Sequence, residues 1–126
     1  MMNILAVALG GAAGSVMRHL SGKAALSLFG LSFPYGTLFV NVFGSFLMGV
    51  AIGAFALHGN VPQEMKSLVT VGFLGGFTTF SAFSLDIVTL YEQGDIGLAA
   101  LYVVLSLILS LLAIFAGLIL MRSFAP

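Results

Sequence analysis

Leu98 to Met121 reads LAALYVVLSLILSLLAIFAGLILM, about 24 residues without a charged side chain. A helix needs about 20 predominantly apolar residues to cross the hydrocarbon core of a bilayer, so this stretch is long enough to span one. Worked outward from it, the rest of the chain divides by where charges and turn signals fall. Spans are placed at 3–29, 34–57, 63–91 and 97–122. Phe33-Pro34-Tyr35-Gly36 reads as a turn feeding a helix with proline in its first turn. Leu31-Ser32, His58-Gly59-Asn60-Val61 and Glu92-Gln93-Gly94-Asp95 are short connections. No linker or low-complexity tract divides the chain. Residues 1–126 therefore read as a single all-α integral membrane domain with four transmembrane helices.

The composition requires the same solvent. Hydrophobic residues make up 60% of the chain and charged residues 6%, against about 25% charged in an average soluble domain. Four Lys/Arg and four Asp/Glu cannot cover a water-facing surface; a bilayer removes that requirement. Formal net charge is zero, which leaves no electrostatic footprint for nucleic acid. With no cysteine there are no disulfides, thiolate metal sites or thiol chemistry. No nucleotide-binding loop is present, and the histidines and carboxylates lack metal or catalytic spacing, so an enzyme is not expected. The first residues lack the basic region and cleavage site of a signal peptide, so the first span is expected to be retained. The expected location is the cell inner membrane or plasma membrane, multi-pass.

Orientation is not specified by charge. With four spans, Lys66 and Arg122 fall on one side and Arg18 and Lys23 on the other, and the Lys/Arg difference is what orients a chain. Two readings are open. A small number of charges gives a noisy count, or the chain inserts both ways and opposite-facing copies pair, obtaining from two chains the inverted symmetry that transporters often obtain from repeats. Gly10-xxx-Gly14, Gly49-xxx-Gly53 and Gly72-xxx-Gly76 each put two glycines on one helix face, which permits close helix approach within the chain or between copies.

Polar residues inside the spans carry the functional signal. Thr37, Asn41 and Ser45 lie at i, i+4, i+8 along the second span, and Tyr102, Ser106 and Ser110 repeat the spacing in the fourth. Interhelical hydrogen bonding is the commoner use of such residues. Asn41 demands more, since its amide brings two donors as well as an acceptor, and two aligned stripes suit the walls of a narrow hydrophilic path. The densest signal is Gly72-Phe73-Leu74-Gly75-Gly76-Phe77-Thr78-Thr79-Phe80-Ser81-Ala82-Phe83-Ser84. Two glycines followed by two β-branched threonines are poor helix material, so the third helix is expected to be broken near its middle. Freed carbonyls at membrane depth must line a cavity or be buried in protein, and they can coordinate cations. Beyond the break, Phe80 and Phe83 are neighbours on one helix face. Their ring edges are electropositive and could hold a small anion weakly enough to let it go, although packing or lipid contact accounts for most of the twelve phenylalanines.

At these residues the chain resembles the CrcB/Fluc fluoride channels. The resemblance covers essentially the whole chain and rests on Gly10-Gly11-x-x-Gly14-x-x-x-Arg18, Gly36-Thr37-Leu38-Phe39-Val40-Asn41 and Gly72 through Ser84. It implies an antiparallel dual-topology homodimer in the lipid membrane, with two fluoride pores and a structural sodium ion at the dimer interface. By match to the motifs, Asn41, Phe80 and Phe83 would line the fluoride path. Thr79, Ser81, Tyr102, Ser106 and Ser110 fall where the family has its pore-lining polar groups. The carbonyls of Gly75 and Thr78 would bind sodium, two from each subunit. Arg18 matches an arginine near an aqueous vestibule, with snorkelling to the interface as its other reading. The implied function is passive export of cytoplasmic fluoride, lowering its toxicity. An inside-negative potential favours anion exit by about 2.3 kcal/mol per charge per 100 mV, so coupling is not needed.

A small proton-coupled multidrug antiporter is the alternative, being also four spans and often dual in topology. It needs a membrane-embedded carboxylate. The first, second and fourth spans have none, and Asp86 in the third reads as interfacial, near Glu92. No tryptophan is available for a cation cage. A non-transporting assembly subunit would account for the glycine faces but leaves the polar stripes without a use.

Overall fold

The computed structural model describes residues 1–126. It is helical from end to end: α1 (Met2–Phe29), α2 (Tyr35–Leu57), α3 (Gln63–Ser67), a π-wound stretch Leu68–Leu74, α4 (Gly75–Phe77), α5 (Phe80–Glu92) and α6 (Ile96–Arg122). Four helical runs are long and apolar enough to cross a membrane: Met2–Phe29, Tyr35–Leu57, Gln63–Glu92 and Ile96–Arg122. Their limits follow local chemistry. Gly30 and Gly94 take positive φ in the turns after α1 and α5, a conformation glycine adopts without steric cost, and Pro34 and Pro62 stand just before α2 and α3.

Small residues decide the packing. The most extensive contact is α2 against α6, and α1 lies along the π-wound stretch and α4. At the α2–α6 crossing a Cβ on Gly49 would run into the Ile114 carbonyl and stand 3.0 Å from Leu118 N, and one on Gly117 would run into the Phe46 carbonyl. Gly10 and Gly14 face Leu68 and Phe73 in the same way, and Gly76 meets Gly11 O. Gly53 closes on Met121 and Gly72 on Val7. All three glycine pairs are thus used inside one chain, and none of them is left over as a face for association between copies. Around these seams the outer surface is apolar: Leu111, Leu112, Phe115 and Ile119 of α6 are exposed, as hydrocarbon surroundings allow. The interior core is a small cluster of Phe83, Leu90, Ala99 and Tyr102 with Phe33, Leu38, Ile87 and Val103 packed against it.

The third span departs from regular winding twice. Leu68–Leu74 is π-wound, which puts an extra residue into the turn. Composition places the unwinding at Gly75 to Thr78, whereas Gly75, Gly76 and Phe77 are helical and the extended residues are Thr78 (φ −87°, ψ 158°) and Thr79 (φ −151°, ψ 124°). The physical reason is that Gly76 is needed for packing: a Cβ there would lie 2.8 Å from Gly11 O and 3.1 Å from Ser15 Oγ. Gly76 admits α1, as Gly72 does a turn earlier, and the threonines that follow carry the change of direction.

Candidate functional site

Two extended residues inside a membrane helix leave backbone groups that need partners. Asn41 on α2 supplies them for Thr79. Its Nδ2 donates to Thr79 O at 3.0 Å, and Thr79 N–H donates to Asn41 Oδ1 at 2.8 Å, so one side-chain amide stands in for a neighbouring peptide group. The Thr79 hydroxyl then accepts from Ala82 N–H at 3.1 Å and caps α5. These two bonds have a consequence for the carbonyls upstream. The helical partner of Gly75 O would be Thr79 N–H, which is spent on Asn41; that of Thr78 O would be Ala82 N–H, which is spent on Thr79 Oγ1. Both oxygens are released. The next carbonyl, Gly76 O, accepts from Arg18 Nε at 3.0 Å, so the α1 guanidinium sits at the negative end of the helical run that stops at Phe77.

The clamp borders a cavity of about 370 Å³ between α2, α5 and α6, lined by Asn41, Ser45, Thr78, Thr79, Phe80, Phe83, Ser106 and Ser110 among others. Six of the pore residues named from the sequence, Asn41, Thr79, Phe80, Phe83, Ser106 and Ser110, therefore share one space. Asn41 keeps one N–H uncommitted beyond its bonds to Thr79, and the buried Ser106 hydroxyl has no protein partner. The Phe80 and Phe83 rings lie 5.5 Å apart, centroid to centroid, at 55°. They differ in setting: Phe83 is 7% exposed, while Phe80 is 75% exposed on the surface of the chain. Gly75, with its released carbonyl, is exposed on the same span.

Two named residues stand outside that lining. Ser81 is exposed, its Oγ 3.4 Å from Thr79 Oγ1. Tyr102 is completely buried, with its ring against Phe83 and Phe33 and its hydroxyl donating to Asp86 Oδ2 at 2.9 Å. Arg18, His19 and Lys23 border a separate cavity of about 300 Å³ with Thr37 and Thr79. Sequence reasoning read Asp86 as interfacial and missed its bond to Tyr102. It is half-buried and lines a third cavity, about 320 Å³, with Thr37, Thr89 and Gln93. A signal was available, since a tyrosine hydroxyl inside an apolar span calls for an acceptor. No cluster of three or more His, Cys, Asp or Glu is present to hold a metal ion.

Fold and site define a small polytopic helical membrane protein in which Asn41, Ser45, Thr78, Thr79, Ser106 and Ser110 border an open cavity between α2, α5 and α6. Residues 5–118 match the family described as CrcB-like protein, Camphor Resistance (CrcB). A relative from Agrobacterium fabrum, named fluoride-specific ion channel FluC, is 51% identical over 123 residues, covering 98% of each chain. One from Cereibacter sphaeroides with the same name is 53% identical over 120 residues, 95% of this chain and 94% of its own. A third, fluoride-specific ion channel FluC 2 of Nitrobacter hamburgensis, is 48% identical over 121 residues, 96% and 98%. The chain belongs to the CrcB family.

Proposed function

We propose that this protein is a fluoride-selective ion channel through which cytoplasmic fluoride leaves the cell down its electrochemical gradient. The observation that carries the reading is the cavity that Phe80 and Phe83 share with Asn41, Ser106 and Ser110. Fluoride is small and strongly hydrated, so its path must replace water with close donors. The free Asn41 N–H and the serine hydroxyls supply neutral ones, and the ring edges add electropositive C–H groups. No Lys or Arg lines this cavity, so the ion is held without being trapped. Near-full-length relatives bearing the fluoride-channel name support the same reading. The protein is a channel and not an enzyme.

An antiparallel, dual-topology homodimer with the third span acting as two half-helices is part of the proposal. Support comes from the even Lys/Arg division and from Val71, Gly75 and Phe80, all exposed along one span at membrane depth. Sodium fits the carbonyls of Gly75 and Thr78: neutral hard oxygens, released from helical partners, with no carboxylate in the set, suit a monovalent cation better than calcium or magnesium. One chain offers two such ligands and a second copy the other two. A bound sodium ion would tie the copies together by electrostatic attraction. The antiporter alternative is not favoured, because Asp86 lies outside the lining of the Phe80 cavity and holds the Tyr102 hydroxyl.

The test is fluoride efflux from vesicles reconstituted with Phe80→Leu and Phe83→Leu. Leucine keeps bulk and apolarity but has no quadrupole, so flux should collapse while dimer yield and melting stay near wild type. Phe39→Leu and Phe73→Leu are packing controls and should retain flux. Wild-type flux from both pore variants, singly and combined, would move the ion path elsewhere.

A further inference from the structure

We propose that Asp86 is a positioning residue for the pore ring of Phe83 and that it acts through Tyr102. The inference rests on the channel reading above and adds a residue to it. Phe83 and Asp86 are three residues apart on α5, hence neighbours on one helix face. Tyr102 reaches that face from α6. Its hydroxyl is held at one end by Asp86 Oδ2, 2.9 Å away. Its ring is held on two sides, by Phe83 at 5.2 Å and 53° and by Phe33 at 5.5 Å and 86°, an edge-to-face contact. Phe83 in turn stands 5.5 Å from Phe80. The carboxylate, the tyrosine and the two phenylalanines thus form one mechanical series from Asp86 to the cavity.

The arrangement explains an otherwise unfavourable residue. A carboxylate close to an anion path repels the ion, yet Asp86 lines the Thr37, Thr89 and Gln93 cavity and not the one lined by Phe80 and Phe83. What it contributes to that second cavity is geometry. Tyr102 has 0% exposure, and the bond to Asp86 fixes its hydroxyl end; without the carboxylate the hydroxyl would swing toward Thr37, the other polar side chain that acts on it, and a ring without the hydroxyl would lose that tether altogether. That swing moves the wall against which the Phe83 ring rests. An ion held by ring edges depends on ring tilt, because the same ring offers a negative face.

The experiment uses the full chain in vesicles and reads fluoride flux, the fluoride-to-chloride permeability ratio, dimer yield and melting. Asp86→Asn keeps an oxygen that can accept from Tyr102 and should retain flux and ratio within about twofold. Asp86→Ala should lower fluoride flux about tenfold, the scale of a lost hydrogen bond to a charged group, and lower the permeability ratio with it. Tyr102→Phe keeps the ring but loses the hydroxyl bond, and should reproduce the fall in ratio even if the alanine variant fails to assemble. The double variant Asp86→Ala/Tyr102→Phe should be no worse than either alone, as residues in one series are not additive. Damage by Asp86→Asn equal to that by Asp86→Ala, additive losses in the double variant, or an unchanged ratio in Tyr102→Phe would overturn the assignment. Phe83→Leu run alongside separates the two claims: if it conducts normally the ion path itself is misplaced, and if it alone is silent only the role of Asp86 fails.

Discussion

Gly117→Ala adds one methyl group at the seam where α2 and α6 come closest, and its cost can be worked from the distances there. The new Cβ would stand 2.8 Å from Val50 N and 3.1 Å from Gly49 C, with the Phe46 carbonyl oxygen nearer still. Non-bonded heavy atoms settle at about 3.5 Å or more, so the helices must separate by at least about 0.7 Å. All three obstructing atoms are backbone, so no side chain can turn aside. Overpacking of this kind costs about 1–3 kcal/mol, and the better helix propensity of alanine returns at most about 1 kcal/mol. A net loss of up to about 2 kcal/mol is expected after the full helix-propensity return, read as a lowered midpoint in denaturation of the detergent-solubilised protein. The functional effect follows from position, since the same two helices carry Asn41, Ser45, Ser106 and Ser110 around the cavity. Moving them apart should widen that space and lower the fluoride-to-chloride ratio. Gly97→Ala on the same helix meets nothing within 4 Å and is the control. A Gly117→Ala protein that matches wild type in both midpoint and ratio would refute the claim that this crossing is at its closest approach.

Further outcomes are expected elsewhere. Asn41→Asp can still accept from Thr79 N–H but turns a donor on Thr79 O into a repelling oxygen, so stability should fall by about 1–3 kcal/mol and flux be lost; wild-type flux would remove Asn41 from the path. Arg18→Gln takes the charged donor from Gly76 O, and a destabilisation of about 1.5–3 kcal/mol is expected in the same denaturation assay. Two or three lysines added after Arg122 should bias insertion and reduce the proposed antiparallel dimer, as read by accessibility of a carboxyl-terminal tag from each side of the membrane. Replacing sodium by choline during purification should weaken the proposed dimer on size-exclusion chromatography; an assembly indifferent to sodium would exclude Gly75 and Thr78 as ligands.

The helices were legible because charge and turn residues mark where hydrocarbon ends. The span placed at 34–57 becomes Tyr35–Leu57 and that at 97–122 becomes Ile96–Arg122. Asn41, Phe80, Phe83 and the two serines were legible as well, through regular spacing on single helices, and the structure puts them around one cavity. Two features were not. The Asp86–Tyr102 bond joins residues 16 apart on different helices; Tyr102 shows that an acceptor is needed but not which residue supplies it. Helix-poor composition marked Gly75, Gly76, Thr78 and Thr79 alike and could not distinguish a glycine needed for close approach to α1 from threonines in extended conformation. That distinction depends on what packs against each of them.

The π-wound stretch at Leu68–Leu74 also bears on insertions and deletions. Each residue of an α-helix advances the side-chain direction by about 100°, so one residue more or fewer normally turns everything downstream, and the π-wound turn absorbs its extra residue. Deleting a surface position such as Val71 would leave composition and hydropathy almost unchanged. It would also return the turn to α-winding, so that Gly76 stays beside Gly11 and Thr79 at Asn41. The π-wound turn is therefore where this span can lose one residue and keep its neighbours, whereas one lost from the α-wound Phe80–Glu92 would turn the side chains after it to face different ones.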